Sequence, residues 1–198
     1  MKRTFRYFKN SRGRGAFVSF EYEIKEETFK KYHGYWKVFP RGIIYFVPWI
    51  KRVVYASRNC EDIKKIISDM KELTKDWEEK ERLNFILKFC RSPDYETDRK
   101  LYGIFDYWAT AQETLYLNRG DCEDLSILLN TFLIEFGYDS KFIMMKDHMA
   151  CGIAGDFSGE YLESNGKKYY YVESVNDRPI GSISDTNKAK KKVIINSH

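Results

Sequence analysis

Two side chains of this sequence, Cys122 and His148, have the types and surroundings that covalent catalysis requires. A thiol is a strong nucleophile only as a thiolate, and the first turn of a helix stabilises that anion through its N–H groups and dipole. Cys122 follows Gly120-Asp121, which begin a predicted helix, and precedes the acidic pair Glu123-Asp124 and a periodic apolar series. The position therefore predicts a nucleophile at a helix N-terminus.

A base and an orienting acid follow in chain order. His148 begins a predicted strand after a turn, and the strand alternation puts it on one face with Ala150. Glu173 ends the next predicted strand, where its carboxylate could accept the second ring N–H of a histidine on a neighbouring strand. The sequence therefore predicts a Cys122–His148–Glu173 triad for acyl transfer.

One charge effect opposes this interpretation. Asp121, Glu123 and Asp124 surround Cys122 with negative charge, which raises a thiol's pKa, and a protonated His148 must overcome it. Taken singly, a cysteine at a helix start or a histidine in a strand is more often a packing residue than a catalytic one.

The sequence segments around these residues resemble the motifs of a known family. Gly-Asp-Cys-Glu-Asp-Leu-Ser at 120–126 resembles the nucleophile motif of transglutaminase-like cysteine peptidases, the papain-related class with many microbial members. Tyr107-Trp108 with Glu113-Thr114-Leu115 resembles the family's lead-in, and the run 148–152 resembles its histidine strand. Tyr170-Tyr171-Val172-Glu173, followed by Ile180-Gly181, is similar to the segment with the third residue.

The resemblance covers about 95 to 181, less than half of the chain, and implies both a fold and a chemistry. The fold is α+β, a transglutaminase-like (papain-like cysteine proteinase) core in which the nucleophile helix packs on an antiparallel β-sheet. Cys122 would be the nucleophile, His148 the general base and acid, and Glu173 the orienter, with no cofactor. The sequence departs from the family pattern at Glu173, where Asp is usual, and at Met149-Ala150, where Ala-Trp often follows the histidine.

Several reactions share this chemistry. Relatives favour a peptidase or amidase that hydrolyses peptide or side-chain amide bonds through a thioester on Cys122, with a protein or peptide as substrate. A protein-glutamine transglutaminase or deamidase is the alternative, as is a catalytically silent module that binds peptide or nucleic acid. For the oxyanion, the backbone N–H of Cys122 and the side chain of Gln112 or Trp108 are the candidate donors.

The elements that must position these residues form one compact unit of 198 residues. We expect residues 1–60 to be a β-rich N-terminal extension, with a strand at Ala16–Ile24 and a second extended element at Gly42–Ala56, interrupted at Pro48. Residues 61–198 are the expected catalytic core. Its predicted elements are helices over 63–73 and 77–90, the nucleophile helix from 122 to 136, and strands over 141–145, 148–154 and 168–174.

Charge and composition bear on whether the protein binds nucleic acid, spans a membrane or is secreted. The net charge of +5 is concentrated in the first fourteen residues, which hold six cations and no acid. Interleaved aromatic residues allow a nucleic-acid arm there, but a strand with cations on its solvent face is the simpler interpretation. The longest apolar run, Gly42–Ile50, falls well short of the ~20 residues of a spanning helix. With no visible secretory signal, we expect a cytoplasmic protein.

The cysteine and histidine spacings predict no metal. Cys60, Cys90, Cys122 and Cys151 lie about thirty residues apart with no Cys-x-x-Cys pair, and three histidines offer no zinc pattern. In a cytosolic protein of this size disulfides are unnecessary. Cys90 and Cys151 are predicted to be small core residues.

Overall fold

The computed structural model describes residues 1–11, 14–34 and 43–196 of the chain. Their elements follow one another in the order strands, helices, then mainly strands. In chain order these are β1 (Lys2–Ser11), β2 (Arg14–Glu23), α1 (Glu26–Tyr32), α2 (Ile43–Arg58), α3 (Glu61–Leu73), α4 (Glu79–Cys90), β3 (Asp94–Tyr95), α5 (Asp98–Leu101), α6 (Ala111–Leu117), β4 (Arg119–Gly120), α7 (Cys122–Glu135), β5 (Ser140–Met145), β6 (His148–Ala154), β7 (Tyr161–Ser164), β8 (Lys167–Val172), α8 (Asp185–Lys188) and β9 (Lys192–Ile195).

The N-terminal hairpin confirms the predicted strand within 16–24. β1 and β2 pair antiparallel, and their inward side chains Tyr7 and Phe20 pack in the main core. The cations of β1 are divided between its two faces. Arg3 donates to the carbonyl of Tyr116, and the ammonium of Lys9 lies 4.3 Å from the centre of the Trp77 ring. Lys2 and Arg6 are exposed, whereas Arg12 lies outside the described residues.

The prediction of an extended element at 42–56 is wrong, because this segment forms helix α2; Gly42 itself lies outside the described residues. Pro48 lies in the second turn of α2 and is exposed to solvent. Among the side chains of α2 that the structure describes, from Val47 onward, the buried ones are Ile50, Val53, Val54 and Ser57. This spacing of three and four is that of a helix face, and packing against α7 outweighs the strand preference of the β-branched residues.

Helix α7 is the centre of the molecule. It packs against the helices α2, α4 and α6 and against the strands β5 and β6 of the principal sheet. Nearly all of its residues are buried, polar ones included, so it lies within the core and not on the surface. Its fully buried apolar residues are Ile127, Leu128, Leu129, Phe132 and Leu133, and its fully buried polar residues are Asp124, Ser126, Asn130 and Thr131. The predicted helices at 63–73, 77–90 and 122–136 are confirmed in α3, α4 and α7, with Trp77 just ahead of α4.

The principal sheet confirms the three strands predicted beyond α7. Its order is β7-β8-β6-β5-β9, and each neighbouring pair is antiparallel. Met149 and Cys151 of β6 belong to the core shared with α7, whereas Ala150 packs on the opposite face beside Tyr171. The alternation predicted for the histidine strand is therefore present.

The architecture combines helices with antiparallel sheets, as the α+β prediction requires at this level. Segment 1–60 contains two strands and two helices among its described residues, and its inward side chains share one core with the rest of the chain. The boundary at residue 60 stays a prediction. Within the described ranges, no helix has the length and apolar character that crossing a membrane demands.

Candidate functional site

Cys122 is the first residue of α7, directly after its N-cap Asp121. The carboxylate of Asp121 accepts the N–H of Glu123 at 3.3 Å, and Asp124 accepts the N–H of Asp121 at 3.3 Å, a reciprocal capping box. Gly120 is required for this close approach, since a Cβ atom there would lie 2.6 Å from Cβ of Asp124. The motif residues around Cys122 thus begin the helix.

The thiol of Cys122 is nearly enclosed, with 7% of the residue exposed. Its Sγ donates a hydrogen bond to Oε2 of Glu123 at 2.9 Å, and the backbone N–H of Met149 lies close enough to the sulfur to favour the thiolate. Burial raises the pKa of the Cys122 thiol, and the carboxylate of Glu123 raises it further. The sulfur therefore rests as a protonated thiol in this arrangement, as the acidic surroundings in the sequence predict.

His148 and Glu173 are in direct contact. Nε2 of His148 lies 3.1 Å from Oε1 and 3.2 Å from Oε2 of Glu173, and 12% of the histidine side chain is exposed. Since a carboxylate only accepts hydrogen bonds, Nε2 carries the proton and Nδ1 keeps its lone pair in the neutral ring. This pairing leaves Nδ1 as the nitrogen that can accept a proton from another group.

Glu173 is held from several sides. The hydroxyl of Tyr171 donates to its Oε2 at 2.8 Å, and the backbone N–H groups of Ser174 and Val175 donate to Oε1 at 3.0 and 3.4 Å. Burial alone would raise the pKa of Glu173, but the hydrogen bond and charge of His148, together with Tyr171, outweigh it and hold that pKa below its usual value. The carboxylate is therefore charged and fixed in orientation.

Hydrogen bonds do not connect all three residues of the predicted triad. The structure brings His148 and Glu173 together and puts Sγ of Cys122 beside the residue that follows His148. Among the hydrogen bonds of the described ranges, none links Cys122 Sγ to the imidazole; the thiol is bonded to Glu123 instead.

The side chains predicted as oxyanion donors, Gln112 and Trp108, are both buried. Gln112 is fully buried near the start of α6, and neither its amide oxygen nor its amide nitrogen has a hydrogen-bond partner among the described residues. Trp108 is 1% exposed and donates its ring N–H to Asp106 at 3.0 Å. A role for either in binding an oxyanion stays a prediction.

Carboxylates gather beside the nucleophile helix. The ligand atoms of Asp98, Asp121 and Asp124 lie within 4.8 Å of one another, and those of Asp121, Cys122 and Glu123 do as well. Burial raises the pKa of Asp98 to about 7, with a further increase from Glu123. Such oxygen ligands suit a hard cation such as Ca²⁺. The expectation of no metal, which rested on cysteine and histidine spacing, stays a prediction.

Tyr95 is a neighbour of Cys122 that the sequence treats only as one of several aromatic residues. It pairs with Gly120 across the short β3–β4 ladder, and 56% of it is exposed. Partial burial raises the pKa of Tyr95 to about 12, and the acidic groups next to Cys122, Asp121 among them, add to that effect. The phenol thus stands at the rim of the nucleophile, where it could meet a substrate.

Comparisons with known proteins give a distant structural likeness. No protein-family profile matches the chain, and no curated protein sequence matches it. Among solved structures, the chain is similar to Legionella pneumophila LapG (EGTA-treated), with 18% sequence identity and a TM-score of 0.49 over 76% of this chain and 82% of that chain. A likeness at this level carries no argument about the chemistry of the site, which must be judged from its own geometry.

Proposed function

We propose that this protein is a cysteine-dependent acyl-transfer enzyme, a peptidase or amidase that cleaves peptide or side-chain amide bonds through a thioester on Cys122. The proposal includes a transglutaminase-like core at 61–198, an N-terminal extension at 1–60, a cytoplasmic location, and a protein or peptide as substrate.

The observation that carries the proposal is the contact of His148 Nε2 with both carboxylate oxygens of Glu173. An acid that fixes one ring nitrogen sets the tautomer and stabilises the imidazolium that forms when the other nitrogen takes a proton. The location of Cys122 at the start of a helix, beside the backbone of Met149, supports the same assignment.

In the proposed reaction, Nδ1 of His148 takes the proton of the Cys122 thiol, and Sγ attacks the carbonyl carbon of the substrate amide. The imidazolium returns that proton to the leaving amine as the C–N bond breaks, which leaves a thioester. Water then attacks the thioester with His148 as base, and the acid leaves with the thiol restored. Glu173 keeps the ring oriented throughout.

The reaction needs one local change, because the thiol proton is directed to Glu123 in the resting arrangement. The proposal therefore requires the Cys122 side chain to release that bond and to turn its thiol to Nδ1 of His148. While the thiol is bonded to Glu123 it reacts more slowly with alkylating agents and oxidants, since the thiolate is the reactive form.

An activated ester tests this function without knowledge of the substrate. With p-nitrophenyl acetate, the thiolate of Cys122 should displace p-nitrophenolate and retain the acetyl group, which intact-protein mass spectrometry and peptide mapping would locate. His148→Ala should slow acetylation strongly, and Cys122→Ala should abolish it. Acetylation at other residues with Cys122 unmodified would overturn the proposal.

The nucleophile that accepts the acyl group from Cys122 distinguishes a hydrolase, which uses water, from a transglutaminase, which uses an amine. If water is the natural acceptor, methylamine should not accelerate loss of the acetyl group from Cys122. A marked acceleration, with N-methylacetamide as product, would favour the transglutaminase alternative, which differs from the peptidase in the nucleophile that resolves the thioester.

A further inference from the structure

A buried pair of serine hydroxyls joins α7, β6 and the segment directly after β8, which carry Cys122, His148 and Glu173. Ser126 Oγ of α7 lies 2.8 Å from Ser174 Oγ and donates to the carbonyl oxygen of Met149 at 3.1 Å. A hydroxyl has one proton, and that of Ser126 is used by a carbonyl that can only accept. Ser174 must therefore donate to Ser126, which fixes the direction of the whole chain of bonds.

Each partner in this chain is adjacent to a candidate catalytic residue. Ser126 follows Cys122 by one helical turn, Met149 directly follows His148, and Ser174 directly follows Glu173. The backbone N–H of Ser174 also donates to Oε1 of Glu173 at 3.0 Å. A displacement of the hydroxyl pair would therefore move the backbone at all three positions.

The pair is closed to solvent. Ser126 is 0% exposed and Ser174 is 1% exposed, so water cannot replace either hydroxyl without entering the core. A second link runs in parallel, since Sγ of Cys151 donates to the carbonyl oxygen of Ser126 at 3.4 Å. These contacts hold β6 against α7 at the end where His148 and Cys122 lie.

We infer that Ser126 and Ser174 are positioning residues that set His148 and Glu173 relative to the Cys122 sulfur, an inference that rests on the proposed function. Their role is indirect, because no hydrogen bond among the described residues joins either hydroxyl to Sγ of Cys122 or to the ring of His148. The requirement is geometric: a misplacement of about 1 Å between reacting groups can reduce a rate about 10²-fold.

The test compares Ser126→Ala, Ser174→Ala and the double variant with a matched control, Ser57→Ala. Ser57 is also 0% exposed, and its hydroxyl likewise makes two bonds, to the carbonyl of Val53 at 2.9 Å and from the N–H of Ala111 at 3.0 Å. It lies on α2, outside the three elements of the site. The control therefore matches the loss of a buried hydroxyl without disturbing the triad.

Two readouts are measured on each folded variant. The first is the rate of acetylation of Cys122 by p-nitrophenyl acetate across pH, which should fall at least about tenfold in each single variant at Ser126 or Ser174. The double variant should be no slower than the slower single one, since the hydroxyls act as a unit. Ser57→Ala should retain the wild-type rate of acetylation. This should hold even if its midpoint of urea unfolding falls as far as the midpoints of the Ser126→Ala and Ser174→Ala variants.

The second readout does not depend on catalysis. Long-range ¹H–¹⁵N NMR of the His148 ring should show one tautomer, with the proton on Nε2, in wild type and Ser57→Ala, and a mixture in the other variants. If wild-type Cys122 is not acetylated but the tautomers still change, the proposed function fails and the positioning role stands. Wild-type rates and tautomers in Ser126→Ala and Ser174→Ala would overturn the inference.

Discussion

Arg91 holds the main chain of Glu173 from the far end of α4: its Nε donates a 2.9 Å hydrogen bond to the carbonyl oxygen of Glu173. Only 6% of the arginine side chain is exposed, and its Nη1 lies 3.4 Å from Asp177. The orienting acid is thus fixed at its carboxylate by Tyr171 and at its backbone by Arg91. Removal of either contact should have a distinct and measurable consequence.

Arg91→Met should destabilise the fold by about 2 kcal/mol, because hydrogen bonds from charged donors contribute about 1.5–3 kcal/mol and the carbonyl of Glu173 would lose its partner. Urea unfolding would measure the change. Lys88→Met is the matched control, since Lys88 also pairs with Asp177 but is half exposed and does not contact Glu173. Equal losses in the two variants would contradict the role assigned to Arg91.

Tyr171→Phe should raise the pKa of the Glu173 carboxyl, because the tyrosine hydroxyl donates to the charged carboxylate and helps to hold that pKa down. A ¹³C NMR titration of the glutamate carboxyls would follow it. Tyr170→Phe serves as control, since Tyr170 lies on the same strand and packs by its ring against Phe157 and Tyr161. An unchanged titration of Glu173 in Tyr171→Phe would show that the hydrogen bond has no electrostatic effect.

The depressed pKa of Glu173 also predicts how stability depends on pH. A carboxyl whose folded pKa lies below its ordinary value of 4.5 stabilises the fold above that pH, and this contribution is lost as the pH falls through the folded pKa. Glu173→Gln should therefore be less stable than wild type at pH 6, and the difference should narrow below about pH 4.5. Urea unfolding at a series of pH values would measure it.

The control for this pH series is Glu160→Gln. Glu160 pairs with Lys188 on the surface, where ion pairs contribute little, so its substitution should change stability only slightly at every pH. A constant difference between wild type and Glu173→Gln from pH 6 to pH 3 would mean that the charge of Glu173 does not contribute to folding.

Glu123→Gln should make Cys122 more reactive near neutral pH. The carboxylate of Glu123 accepts the thiol hydrogen bond and is, after burial, the principal cause of the raised thiol pKa. Alkylation rates measured with a chelator present, so that no cation neutralises the carboxylates, should rise several-fold. Glu135→Gln, at the opposite end of α7, should leave the rate unchanged; a decrease in Glu123→Gln would contradict the electrostatic explanation.

The N-terminal hairpin should bind single-stranded DNA or RNA only weakly and with little dependence on salt. Arg3 and Lys9 are engaged with Tyr116 and Trp77, so few described cations of β1 are available to phosphates, and few phosphate contacts mean a shallow salt slope. Fluorescence anisotropy between 50 and 200 mM salt would measure it. Tight binding that weakens steeply with salt, and persists in Cys122→Ala, would favour a nucleic-acid module.

The sequence predicted the elements whose pattern is local. Helix α7 was identifiable from its capping residues and apolar period, and β6 from its alternation, because both signals depend on neighbours within a few residues. Helix α2 was misassigned because its β-branched composition favours a strand, and only its packing against α7 decides the outcome.

The contacts that organise the site could not be read from the chain. Ser126 and Ser174 are 48 residues apart, and Arg91 and Glu173 are 82 apart. No periodicity or motif connects residues at such separations, since they meet only when helices pack on the sheet. The pairing of His148 with Glu173 is predictable because the sequence indicates two consecutive strands, at 148–154 and 168–174, that carry them.

The central claim is that His148 activates the sulfur of Cys122, and alkylation with iodoacetamide tests it most directly. Wild type, His148→Ala and Glu173→Gln would be labelled across pH, and the label mapped among the four buried cysteines by mass spectrometry. We predict that Cys122 is labelled first, and that His148→Ala slows its labelling on the order of 10²-fold near neutral pH, with a smaller decrease in Glu173→Gln. Labelling of Cys122 at the same rate with and without the imidazole, or preferential labelling of another cysteine, would contradict the claim.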